Sequence, residues 1–169
     1  MADLKFSGFD PEAVAATTEI VGYKTGTTSN TRYSITQLAD GLKVHGGLLE
    51  CFMMACSDET TDITAAVDKV RIQMPYAFTL TEIKASLTTA PTGSGATTVN
   101  IYNVTDGDTV INTAALSFAA AAISANSTSF TAGQDTIAED DVIAVDVAAV
   151  AGTTGGAGLK VTLIGHQTV

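Results

Sequence analysis

The sequence has no tryptophan, two cysteines, and eight Lys or Arg spread along 169 residues. Each shortage removes a class of answer. Aromatics make up 6%, so the core must be filled by Val, Ile, Leu, Ala and a few Phe, a composition suited to thin packed sheets. Eight cations against 18 Asp or Glu leave a formal charge of −10. Binding to a phosphate backbone draws on clustered cations that displace counterions, and none are clustered here, so nucleic acid is not expected as a partner. No apolar run reaches the roughly 18 residues of a membrane span, and Met1 to Asp10 lacks a basic start followed by an apolar stretch. The expectation is a chain made in the cytoplasm, with no export signal and no membrane insertion.

Cys51 and Cys56 are five residues apart, which puts them on opposite faces of a single strand and argues against a disulfide between them. With only His45 and His166 to add, they form no zinc-ligand pattern. Both are read as buried small apolar side chains.

What is present falls into two parts. The length allows one full domain and an appendage, and the composition changes near residue 48, giving an N-terminal arm over 1–48 and a body over 49–169. Within the arm, Met1 to Ala16 reads as an extended or partly disordered tail ordered only by a partner. Glu19 to Tyr23 and Thr31 to Ile35 are β-prone stretches around a Gly, Ser and Asn segment, the pattern of a hairpin with a longer loop. Ser34 stands three residues before Gln37, a capping-box spacing, and Gly41 can end a short helix over Ile35 to Asp40. A lone hairpin and one helical turn bury too little to stand alone. The arm is therefore expected to dock on something, with Ile20, Val21, Tyr23, Tyr33, Ile35 and Leu38 as the partner-docking residues.

The body reads as short strands separated by turn chemistry: Glu50 to Cys56, Lys69 to Met74, Phe78 to Leu87, Thr97 to Val104, Thr109 to Phe118, Ser127 to Thr131, Val142 to Val147 and Leu159 to Ile164. Ile83, Ala85 and Leu87 alternate with Glu82, Lys84 and Ser86, and Leu159, Val161 and Leu163 with Lys160 and Thr162, the period of a half-buried strand. Thr105-Asp106-Gly107-Asp108 is the best local hairpin signal. Ala119 to Ala122 is too short and too flanked by Ser and Thr to be a helix. About eight strands with polar turns predict an all-β fold, an antiparallel sandwich of the jelly-roll kind, with an immunoglobulin-like strand order left open.

Sites that carry chemistry are scarce. Asp58, Glu59 and Asp62 share one loop and Glu139, Asp140 and Asp141 another; a hard cation needs several converging oxygens, and neither loop has EF-hand spacing, so both read as solvated acidic turns. His166, just beyond the last strand, has no Ser or Cys elbow and no paired carboxylates to make a triad. His45 reads as a linker residue. Gly152 to Gly158 lacks the Lys and Ser or Thr of a phosphate loop and reads as a flexible turn at a sandwich end or a trimer axis. Phe78 and Leu80 share a core face, while Tyr76 is left open as an aromatic platform for sugar. No catalytic, metal or cofactor residue is assigned, and no enzymatic activity is expected.

The segments Ala55-Cys56-Ser57-Asp58-Glu59-Thr60-Thr61 and Lys69-Val70-Arg71-Ile72-Gln73-Met74-Pro75-Tyr76-Ala77-Phe78-Thr79-Leu80 resemble a domain of structural proteins of tailed phages, many from marine and cyanobacterial hosts. That domain continues with segments like Ile83 to Ala90 and closes with one like Gly158 to Gly165, so the resemblance spans about residues 55–166. Val21 to Tyr23 and Thr31 to Leu38 also resemble short modules of phage fibre and appendage proteins. The resemblance implies a place in a virion, commonly as a homotrimer, and brings no catalytic or metal residues. It leads to the expectation of a capsid decoration or cement protein that docks on the major capsid protein or other virion subunits through its arm. The alternative is a fibre, horn or tail appendage contacting the host surface, with a surface glycan as its target. A carbohydrate-binding module or glycan-active enzyme is a further alternative, opposed by the missing Trp, signal peptide and paired carboxylates.

Overall fold

A computed structural model describes residues 19–23, 30–34 and 49–168. The chain divides into two units, Met1–Gly47 and Leu48–Val169. In the first, strands β1 (Glu19–Tyr23) and β2 (Asn30–Ser34) pair antiparallel, with Ile20 opposite Tyr33 and Val21 opposite Arg32. The short helix expected over Ile35 to Asp40 lies outside the described residues.

The second unit is all-β, and among the described residues it contains no helix. Its strands are β3 (Glu50–Ala55), β4 (Ala66–Gln73), β5 (Phe78–Ser86), β6 (Ala96–Asn103), β7 (Thr109–Val110), β8 (Leu116–Ala119), β9 (Ser124–Ser127), β10 (Thr136–Ile137), β11 (Val142–Ala149) and β12 (Lys160–Gln167). One sheet runs β3, β12, β5, with β9 and β10 sharing the far edge of β5. The other runs β4, β11, β6, with β7 and β8 sharing the far edge of β6. Every pairing is antiparallel, so the body is a two-sheet sandwich.

The period-2 pattern explains the packing. Along β6, Thr97, Val99, Ile101 and Asn103 are buried while Ala96, Thr98, Asn100 and Tyr102 are not. The inner faces meet in one core that includes Met54, Phe78, Leu80, Ile83, Val161 and Leu163 from the first sheet and Val99, Ile101, Phe118, Ile143 and Val145 from the second. Burying each of these side chains contributes roughly 1.5 to 3 kcal/mol, and this term selects the strand faces. Phe78 also meets Phe52 edge-on, with ring centroids 5.2 Å apart, an arrangement the ring quadrupoles favour.

Two expected strands need correction. The single strand Thr109 to Phe118 is two, β7 and β8, because Asn112 turns inward between them. Its Oδ1 accepts the Ile101 backbone N–H at 2.7 Å, and its Nδ2 donates to the Ala114 carbonyl at 2.9 Å; a side chain takes the place of the main-chain ladder. The strand read over Ser127 to Thr131 lies earlier, at β9. The chain then leaves the first sheet, Phe130 bridges to Asn112, and Thr131 N–H donates to the Ile111 carbonyl at 2.7 Å. This closes the sandwich along that edge. Between β9 and β11 lies a strand absent from the sequence reading, β10, held by the fully buried Ile137 against Phe78. The Ala119 to Ala122 stretch is a turn, with Ala121 at φ +68°.

Candidate functional site

Of the expected docking residues, Ile20, Val21, Tyr23 and Tyr33 lie in the β1–β2 hairpin, where the register places Ile20 and Tyr33 opposite each other and Tyr23 opposite Asn30. Ile35 and Leu38 lie outside the described residues, as does His45. The residue charges are unevenly divided: residues 49–169 hold thirteen Asp or Glu and four Lys or Arg, against five and four in residues 1–48. Nearly all of the negative charge therefore belongs to the sandwich.

The loop between β3 and β4 is built around Asp58. Its Oδ1 accepts the backbone N–H of Thr61 at 2.6 Å and of Thr60 at 2.8 Å, an Asx turn. The Thr61 and Thr60 N–H groups hold the Asp58 carboxyl down to about 2, because they stabilise the charged form. Glu59 is also lowered, chiefly by the Lys160 ammonium 2.5 Å away and by the Thr88 hydroxyl. At the opposite end, Asp141 Oδ2 accepts from Asn103 Nδ2 at 2.8 Å and from the Ala138 N–H at 2.9 Å, and Asp140 accepts from Gln73 at 3.1 Å. Asp58 and Asp141 are thus engaged by the turns that carry them, and Glu59 and Asp140 by side chains of neighbouring segments. Among the described residues, no three His, Cys, Asp or Glu side chains converge to hold a metal ion.

The segment Gly152 to Gly158 is not a flexible turn. Gly155 through Gly158 are buried, and backbone bonds tie the segment to its neighbours, among them Ile63 N–H to Gly156 O at 2.8 Å, Thr88 N–H to Ala157 O at 2.9 Å, and Gly158 N–H to Asp58 O at 2.8 Å. The buried Thr97 hydroxyl adds a bond to Gly155 O at 2.8 Å. Gly156 sits at φ +83°, where a Cβ would stand 2.6 Å from the Thr89 carbonyl oxygen. The glycines allow three loops to close over one end of the core.

His166 lies inside β12, opposite Thr79, rather than beyond the last strand. Tyr76 is half-buried, packed on Phe52 at 5.7 Å, and donates its hydroxyl to the Glu50 carboxylate. That bond, followed by desolvation, raises the Tyr76 pKa. It is part of the sheet packing rather than a free platform. The two cysteines separate as alternation requires, but only Cys56 is buried; Cys51 is exposed, because odd positions of β3 face outward. Burial pushes the Cys56 thiol up to about 11.

Two concave surfaces escaped the sequence reading. A groove of about 500 Å³ on the outside of β5 and β9 is lined by Glu82, Lys84, Asn126 and Thr162, with Glu82 bonded to Asn126 at 3.1 Å and paired with Lys84 at 3.3 Å. A second, of about 550 Å³, lies at the end carrying Asn103, Asp106, Thr136 and Asp141. Alternation puts Glu82 and Lys84 on the surface, but nothing local says that β9 will lie beside them. No protein-family model matches the sequence, and no curated protein matches it significantly.

Proposed function

We propose that the protein is a non-enzymatic structural component of a tailed-phage particle, a capsid decoration or cement protein that docks on the shell through its N-terminal arm. The observation that carries this reading is the division of the chain into a first unit whose described residues form a two-stranded hairpin and a second unit that is a sandwich with a core of its own. Two isolated strands are marginal in water, so a β1–β2 unit gains most by ordering against a larger surface. Ile20, Val21, Tyr23 and Tyr33, with Ile35 and Leu38, supply apolar area for that surface. Several copies meeting on one shell would gain further through effective concentration.

The jelly-roll form of the body is part of the proposal. Four successive antiparallel sets, β3 with β12, β4 with β11, β5 with β9 and β10, and β6 with β7 and β8, follow one another as a single long hairpin whose sets alternate between the sheets. That order supports a jelly roll over an immunoglobulin-like sandwich. Such a body presents a rigid, strongly acidic exterior, suited to a particle surface that must stay soluble.

The test is binding to shells stripped of this protein. The full chain is expected to bind and raise the temperature at which shells rupture, and a chain lacking residues 1–45 is expected to remain a soluble sandwich that does not bind. Normal occupancy by the truncated chain refutes the arm. Labelled copies confined to one vertex or to the tail favour the fibre or appendage reading, and specific retention on a glycan array favours a carbohydrate-binding module.

A further inference from the structure

The two sheets end differently on the side away from β7 to β10, at β3 in one and β4 in the other. Met74 N–H donates to the Asp141 carbonyl at 2.8 Å. By alternation the backbone groups of Lys69, Arg71 and Gln73 therefore face the free edge of β4. All three carry long polar side chains, Asp68 bends the strand at φ +52°, and its N–H is taken by Asp146 Oδ1 at 2.7 Å. Charge and a local kink are the usual devices that keep an edge from pairing.

β3 has neither. Its Cys56 neighbour donates to the Leu159 carbonyl at 2.7 Å, so Glu50, Phe52 and Met54 turn their backbone groups to β12 while Cys51, Met53 and Ala55 turn theirs outward. Those outward residues are uncharged and free of proline, and among the described residues no strand covers them. Met53 is 65% exposed and Leu49, just before the strand, 55%. The single carboxylate of the strand, Glu50, is engaged by Tyr76. In a chain of net charge −10, most approaches of two copies meet ionic repulsion, to which the outward-facing Cys51, Met53 and Ala55 of two β3 edges add nothing.

We propose that β3 pairs antiparallel with β3 of a second copy across a two-fold axis, joining the two sheets that contain it into one. A two-fold contact requires a self-complementary surface, and this edge is one. With Phe52 on the axis, Cys51 stands opposite Met53 of the second copy, and Leu49 opposite Ala55. This register engages all four outward-facing residues in about eight backbone bonds, whereas placing Met53 on the axis leaves Leu49 unpaired and forms about six. The contact is at the small end of specific interfaces, so the dimer forms in a concentration-dependent way, on the order of micromolar. It is independent of shell docking and replaces the three-fold clustering that the resemblance implies.

Sedimentation of the full chain over a concentration series is expected to show a reversible monomer–dimer equilibrium. Met53→Glu, at an exposed side chain whose N–H serves no bond to β12, is expected to weaken the dimer at least tenfold while leaving the far-UV spectrum and melting temperature of the monomer unchanged. Met53→Cys is expected to give a covalent dimer under oxidised glutathione through the native Cys51 of the second copy, since opposed Cα atoms in a hydrogen-bonded pair lie at about 5.5 Å, within disulfide range. The double variant Cys51→Ser, Met53→Cys is expected to give none. A monomer at all concentrations, a trimer, a dimer indifferent to Met53→Glu, or equal cross-linking by the double variant overturns the proposal.

Discussion

Replacing Asn112 by Ala is expected to be among the most damaging polar substitutions in the sandwich. The side chain is 1% exposed, and it serves three partners: it accepts the Ile101 N–H at 2.7 Å and donates to the Ala114 carbonyl at 2.9 Å and to Asn100 Oδ1 at 3.3 Å. Ile101 is itself fully buried, so no water replaces the lost acceptor. An orphaned buried amide costs about 1 to 3 kcal/mol, and the lost carbonyl partner and the small void add to it. The sum is about 3 kcal/mol. For a body of this size that lowers the melting temperature by about 10 °C. The assay is urea unfolding followed by circular dichroism, with Ser117→Ala on the exposed face of β8 as the reference, expected within about 0.5 kcal/mol of the parent. Asn112→Asp keeps the acceptor but buries a charge where a donor is needed, and is expected to be at least as harmful near neutral pH as Asn112→Ala. A loss below about 1 kcal/mol for Asn112→Ala, at unchanged denaturant dependence, would refute the claim that this side chain stands in for the missing ladder.

Gly156→Ala is expected to cost about 2 kcal/mol or more, from the positive φ and the approach of the Thr89 carbonyl, measured by the same unfolding assay. Asp58 contributes a defined acid limb: its folded value of about 2 lies below its ordinary 3.8, so its stabilisation is fully present above about pH 4 and is lost as pH falls through about 2. Asp58→Asn is expected to flatten the stability profile in that window, and an unchanged profile counts against the Asx turn. In native protein at pH 7.5 a maleimide is expected to label Cys51 alone, since Cys56 is buried and its thiol is pushed up to about 11; labelling of both at equal rates, read by mass spectrometry, contradicts the burial of Cys56.

Much of the sheet structure was legible in local pattern. The alternation of Ile83, Ala85 and Lys84 identifies β5, Thr105 to Asp108 carries the β6–β7 turn, and the exclusion of helix follows from Ser, Thr and β-branched residues at period 2. The failures share one cause. Asn112 in a run of β-prone residues looks like a strand position, and Gly152 to Gly158 looks like slack chain, because the groups that satisfy Asn112 and crowd the glycines come from segments remote in sequence. Cys51 misled for a simpler reason: apolar character suggested burial, but an edge strand with one solvent face exposes every second residue regardless of type.

The sequence by itself determined the all-β class of the body, its main strands, the inward faces of β5 and β12, and the acidity of the body, since each depends on residues within a few positions of one another. Tertiary structure decided which strands are neighbours, that Gly155 to Gly158 are buried, and that among the described residues β3 has no strand on its outer edge while β4 is guarded. Pairing and burial are settled by contacts between residues far apart along the chain, and their free energy depends on the partner surface as much as on the local segment.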